Sequence, residues 1–192
     1  MPYISSSALR EALSALSMPR QVGFMLLLCE RAMPPLRKFS VDTGFDMSLS
    51  LECLDIGWNS LGNLSRETSY KLLAERVYES APDTEDFRHD LTSAALDATL
   101  CIGSLMSFVS DRNFDNVVQS ATWMCDTVHL YVGTIDPTIL FENIINHPLM
   151  QRELSSQADD LNQLRSLTTD NAEELLSFLK ERAKQTPPLL PL

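Results

Sequence analysis

Several things are scarce in this 192-residue chain, and each scarcity removes a class of function. Lysine and arginine number 15 against 26 aspartates and glutamates, for a formal net charge of −11. Nucleic-acid binding rests on cationic side chains that displace counterions from phosphate, and adhesion to an anionic bilayer needs the same charge. Neither suits so acidic a chain, so no nucleic acid and no membrane are expected as partners. Plain solubility, or a basic protein partner, suits the charge better. Cysteine is sparse: Cys29, Cys53, Cys101 and Cys125, with no C-x-x-C. In apolar or helical surroundings these read as buried free thiols of a reducing, cytoplasmic protein. The longest apolar run, residues 22–29, is too short to span a bilayer. No basic stretch precedes an apolar run at the amino terminus, so no signal peptide is expected. Strand alternation, internal repeats, G-x-G-x-x-G, and a Ser–His–Asp or Cys–His nucleophile pattern are all missing. No cofactor is therefore expected.

What is present is helical. The stretch 91–110, LTSAALDATLCIGSLMSFVS, carries one charge, Asp97, and is apolar on every side of its helical wheel. Such a helix is buried all round or sits in a membrane, and its threonines, serines and Asp97 make it a poor span. It reads as the central helix of a single-domain, antiparallel, all-α bundle over residues 1–184. A chain of this length buries roughly 70% of its extended surface, enough for a core without staples.

Other helices are expected around it. Residues 5–17 carry a stripe of Leu9, Leu13 and Leu16. Residues 19–33 are apolar around most of their circumference, and Pro34–Pro35 stop them and start a short helix over 35–42. Asp46 caps 47–61, and 65–80 form a charged surface helix. Asp83, Glu85 and Asp86 favour the amino end of a long helix running to residue 110. Residues 114–132 show a clear stripe, with Trp123 and Leu130 on the opposite face. These two mark a possible interface, either covered by a further helix or facing another subunit. Helices are also expected over 138–146 and over 149–167, the latter polar and peripheral. Asp170 with Glu173 opens 171–184 as a capping box. The last residues, 185–192 (QTPPLLPL), read as a flexible Pro-rich tail.

Two patterns bear on chemistry. Asp86/His89 and Asp126/His129 are D-x-x-H steps that place carboxylate and imidazole on one helix face. They are offset by about 9 Å along the helices and lack the glutamates of a di-iron site, so no metal is expected. The same register sets Asp97 level with residue 127 and suggests an Asp97–His129 contact. The second pattern is Glu30, Arg31, Asp55 and Asp97, each beside a strongly apolar run. Charges in such places must be paired. They form either a buried network fixing helix register or a polar interhelical pocket for a ligand.

The run Phe24-Met-Leu-Leu-Leu28-Cys29-Glu30-Arg31, followed by Pro34, Phe39, Thr43-Gly44-Phe45, Leu54-Asp55 and Trp58, resembles the YjaG-like bacterial family, domain of unknown function 416. Ala95-x-Asp97-Ala98 is similar to that family's Ala-x-Asp-Ala helix. The chain departs after Phe45, where Asp46-Met47 replaces the family's Gly-Asp. The resemblance implies an all-helical cytoplasmic protein without established activity, and a link to histidine-kinase signalling through gene neighbourhood. The preferred expectation is thus a non-enzymatic interaction or signalling accessory module whose partner is a protein, itself included as a homodimer. The alternatives are a small-ligand binder or enzyme using the Glu/Asp/Arg pocket, and an acidic antidote protein that neutralises a basic partner.

Overall fold

A computed structural model describes residues 6–62, 68–168 and 171–191. The elements run α1 Ser6–Ser14, α2 Met18–Thr43, α3 Ser48–Ser60, α4 Thr68–Glu79, α5 Thr92–Asp111, α6 Asp115–Ile135, a 3₁₀ turn Phe141–Asn146, α7 Pro148–Ser166 and α8 Ala172–Gln185. No strand occurs among the described residues, and the fold is all-α. The central element is α5, which packs on α2, α3, α4 and α6. Ala95, Ala98, Cys101, Ile102, Leu105, Met106 and Val109 are all fully buried. Among the described residues α5 alone has the length and composition to cross a membrane, but 78% of its apolar window is buried inside the fold. Its apolarity therefore serves the protein core.

Small residues on α5 set how closely its neighbours approach. A Cβ on Gly103 would stand 2.5 Å from the Tyr78 ring of α4. With only hydrogen there, Tyr78 lies against the helix, and its hydroxyl meets Ser104 Oγ at 3.0 Å and Ser107 Oγ at 3.3 Å.

The two short helices expected on either side of Pro34–Pro35 are one continuous helix, α2, with both prolines inside it. Each interior proline costs about 3 kcal/mol, or about 6 kcal/mol for the two. Leu36 and Phe39, both fully buried beyond the prolines, offset much of that, since each such side chain contributes about 1.5–3 kcal/mol. Helix α2 ends at Gly44, whose φ of 77° is the left-handed cap that glycine adopts without strain.

Pro35 has a second consequence. In an unbroken helix the carbonyl of Arg31 would accept from the N–H of residue 35, and proline has none. Instead it accepts the N–H of Leu189 at 2.9 Å. The carboxy-terminal segment therefore does not trail free, as its prolines suggested. Leu189 and Leu190 are buried, and Arg152 donates to the carbonyls of Pro188 at 3.0 Å and Leu189 at 2.8 Å.

Three further expectations change. Helix α5 starts at Thr92, because Asp83 takes the N–H of Glu85 into a local turn and the Thr92 hydroxyl donates to His89 O at 2.8 Å. Side chains of this kind compete with the helix for backbone groups. The 138–146 helix is reduced to the 3₁₀ turn, with Asp136 capping Thr138 ahead of it. Helix α7 is not peripheral: Glu153, Gln157 and Asp160 on it are buried. Asn171 caps α8, accepting from Glu173 N and Glu174 N, while Asp170 lies outside the described residues.

Candidate functional site

Arg31 is the most deeply placed cation of the expected polar group. Helix α2 carries it inward among Leu27, Leu28 and Ala32, so its guanidinium needs partners. Its Nε and Nη2 donate to Glu153 at 3.2 and 3.1 Å, and its Nη1 donates to Asp160 at 2.5 Å. Asp160 also accepts from Arg182 Nε of α8 at 2.8 Å. Gln157 bridges Glu153 Oε1 at 2.9 Å and the carbonyl of Ala121 on α6 at 3.0 Å. Burial works against the Arg31 charge, but Glu153 and Asp160 outweigh it and hold the guanidinium firmly protonated. Two acids face two arginines, so the network is electrically balanced and ties α2, α6, α7 and α8 together.

The other three members of the group lie elsewhere. Glu30 accepts from Trp58 Nε1 of α3 at 2.8 Å. Asp55 is exposed, so its apolar neighbours in sequence did not bury it. Asp97 is buried and accepts the Thr127 hydroxyl of α6 at 2.6 Å. No hydrogen bond or ion pair joins any two of Glu30, Arg31, Asp55 and Asp97. The register arithmetic that set Asp97 level with residue 127 holds, but the partner is Thr127 rather than His129. Burial pushes the Asp97 carboxyl up to about 6, against the Thr127 hydrogen bond and with help from the nearby Asp126.

The two D-x-x-H steps lie in different parts of the fold. His89 Nε2 lies 3.2 Å from Asp42 Oδ2, across to α2. Among the described residues no group of three His, Cys, Asp or Glu side chains is placed to hold a metal.

His129 instead packs against Phe141, with ring centroids 4.3 Å apart and the rings tilted by 52°, and this pair walls a pocket of about 300 Å³ between α6, the 3₁₀ turn and the start of α7. Met150 and Ile145 form its apolar floor, and Asp126 and Glu142 stand exposed at its rim. Cys125 closes one side, its thiol pushed up to about 12 by burial and by Glu153. Trp123 is half-buried on the core, whereas Leu130 is 54% exposed on the same outward arc of α6 as Asp126. Of the six large apolar residues exposed among those described, four lie at or just after the end of α6: Leu130, Ile135, Leu140 and Phe141. A wider opening of about 510 Å³ near Phe108 and Phe114 is lined by no carboxylate.

Glu153, Asp160, Phe141 and Glu142 were not anticipated from sequence. The signal for the first two was available. Met150, Glu153, Gln157, Asp160, Leu161 and Leu164 fall on one helical stripe, but its polar members disguise it as a surface face.

Comparison with known proteins agrees with the architecture. The chain is 28% identical over 141 residues to the uncharacterized protein YjaG of Escherichia coli (strain K12), covering 72% of each chain. It superimposes on the crystal structure of a DUF416 family protein from Shewanella baltica OS155 with a TM-score of 0.81, covering 92% of this chain and 93% of that one. At 23% identity this second likeness shows the fold alone. The profile described as "protein of unknown function (DUF416)" matches residues 8–187, and the chain therefore belongs to the DUF416 family.

Proposed function

We propose that this protein is a non-catalytic binding module that docks a basic partner protein through the outward face of α6 and the 3₁₀ turn after it. The observation that carries the reading is that Leu130, one helical turn from Asp126, and Phe141, in the pocket wall, are both exposed beside a pocket rimmed by Asp126 and Glu142, with Leu140 exposed next to Phe141 in the chain. Exposed apolar side chains beside a charged rim are what a protein interface presents before it closes. A second copy of the chain suits this face less well. A symmetric dimer sets one patch against itself and would bring Asp126 and Glu142 near their own counterparts. Like charges across an interface oppose association, so the complementary occupant is heterologous and cationic. A signalling accessory and an acidic antidote protein are both instances of such a module. They differ in the partner's identity rather than in this surface.

The test uses a helical model peptide of leucine and lysine and its leucine–glutamate counterpart, with binding read by fluorescence anisotropy. The lysine peptide binds and the glutamate peptide does not. The double variant L130S/F141S, which leaves net charge unchanged, weakens binding by about tenfold or more. V41S, at an apolar residue 83% exposed on α2, leaves it within about twofold. Equal effects of the two variants would reduce the attraction to net charge and remove the docking surface.

A further inference from the structure

We infer that the pocket beneath Phe141 is a socket for one cationic side chain of the docked partner, a guanidinium or an ammonium; this rests on the docking reading above. From Asn113 to Gln151 the chain holds no lysine or arginine, but four carboxylates: Asp115, Asp126, Asp136 and Glu142. Two of these are answered within the protein. Asp115 accepts from Arg10 at 2.7 Å, and Asp136 is engaged by the N–H and hydroxyl of Thr138. Asp126 and Glu142, the two at the pocket, make no hydrogen bond or ion pair among the described residues. The remaining walls suit a cation as well. Phe141 is 76% exposed and packs against His129, so much of its ring surface is open to a charge over its π face. Ile145 and Met150 offer apolar contact to the methylene stem that carries such a head group. The volume, about 300 Å³, is at the small end of ligand sites and suits one side chain rather than a nucleotide or cofactor. Partial desolvation at the rim also raises the Asp126 carboxyl above the ordinary range, with His129 opposing it, so a bound cation would favour the charge there.

The experiment titrates the full chain with N-butylguanidinium and with the neutral N-butylurea, and follows the His129 and Phe141 ring resonances by NMR. Butylguanidinium produces saturable shifts and butylurea does not. D126N/E142Q weakens the apparent affinity by about tenfold, and F141L weakens it by about threefold. Equal shifts from both compounds would make the pocket merely apolar, and shifts that never saturate would empty it of any site. Either result overturns the socket. The docking surface is judged separately, by the lysine peptide and by L130S alone, which leaves the socket's Phe141 in place. A socket without peptide binding, or peptide binding without a socket, therefore tells which of the two ideas has failed.

Discussion

Asp97 gives the sharpest prediction, because a single carboxyl in the centre of the protein should set how stability depends on pH. Folded, it ionises near 6, with burial as the main cause; unfolded, it ionises near the ordinary 3.8. Below the lower value it is protonated in both states and costs nothing. Between the two values the folded protein keeps a proton that the unfolded chain has released, so stability falls as pH rises. Above about 6 the full penalty is present, and moving the carboxyl from 3.8 to 6 corresponds to about 3 kcal/mol. Asn at this position has the shape of the protonated acid and still accepts the Thr127 hydroxyl. D97N should therefore match the native protein near pH 4 and exceed it at pH 7.5 by up to about 3 kcal/mol, or roughly 6–12 °C in Tm. Urea unfolding followed by the fluorescence of Trp58 and Trp123, repeated across pH 4–8, reads the difference directly. T127V should act in the opposite sense, costing more at pH 7.5 than at pH 4, since its hydroxyl serves the ionised form. A D97N protein less stable than the native one at pH 7.5, or a difference that does not change with pH, would refute the reasoning.

The remaining predictions concern the ionic network, the carboxy terminus and the thiols. R31M strands Glu153 and half of Asp160 in the interior and should cost about 3–5 kcal/mol. Adding E153Q should recover part of that loss in a double-mutant cycle, and strict additivity would mean the pair is not coupled. P35A supplies the N–H that α2 lacks, and that N–H competes with Leu189 for the Arg31 carbonyl. Carboxypeptidase should then trim the last residues faster than in the native protein, and unchanged trimming would separate the proline from the docked tail. At pH 8 the native protein should react with a thiol reagent far more slowly than the unfolded chain. Cys29, Cys53 and Cys101 are sealed in the core, and the thiols of Cys53 and Cys125 are raised to about 11 and about 12. One thiol that reacts rapidly in the folded state would show that Cys125 is open.

Local pattern sufficed for some of the architecture. Residues 91–110 carry one charge in about five and a half helical turns, and a helix apolar on every face is driven away from water, so its central place was legible at once. That Arg31 needs partners was equally legible, since an unpaired guanidinium beside Leu27 and Leu28 is too costly. Which groups answer it was not legible. Glu153 and Asp160 stand 122 and 129 residues away, on a helix whose polar stripe imitates a surface face. Asp55 failed for the converse reason: Leu54 beside it is buried, while Asp55 lies on the outward face of α3 with Glu52 and Asn59.

The amino-acid sequence by itself determined the all-helical class and the buried middle helix, because periodicity and charge are properties of consecutive residues, while the family rested on the resemblance of the residues from Phe24 to Trp58. Tertiary structure decided the rest. Two prolines that stop a helix locally are carried through by burial of Leu36 and Phe39, and a tail that frays locally is held by the carbonyl that Pro35 leaves open. The pocket under Phe141 likewise exists only because a short 3₁₀ turn folds back on α6, setting Glu142 beside Asp126. Each of these depends on which distant surfaces meet, and the free energy of that meeting outweighs the preferences of any single segment.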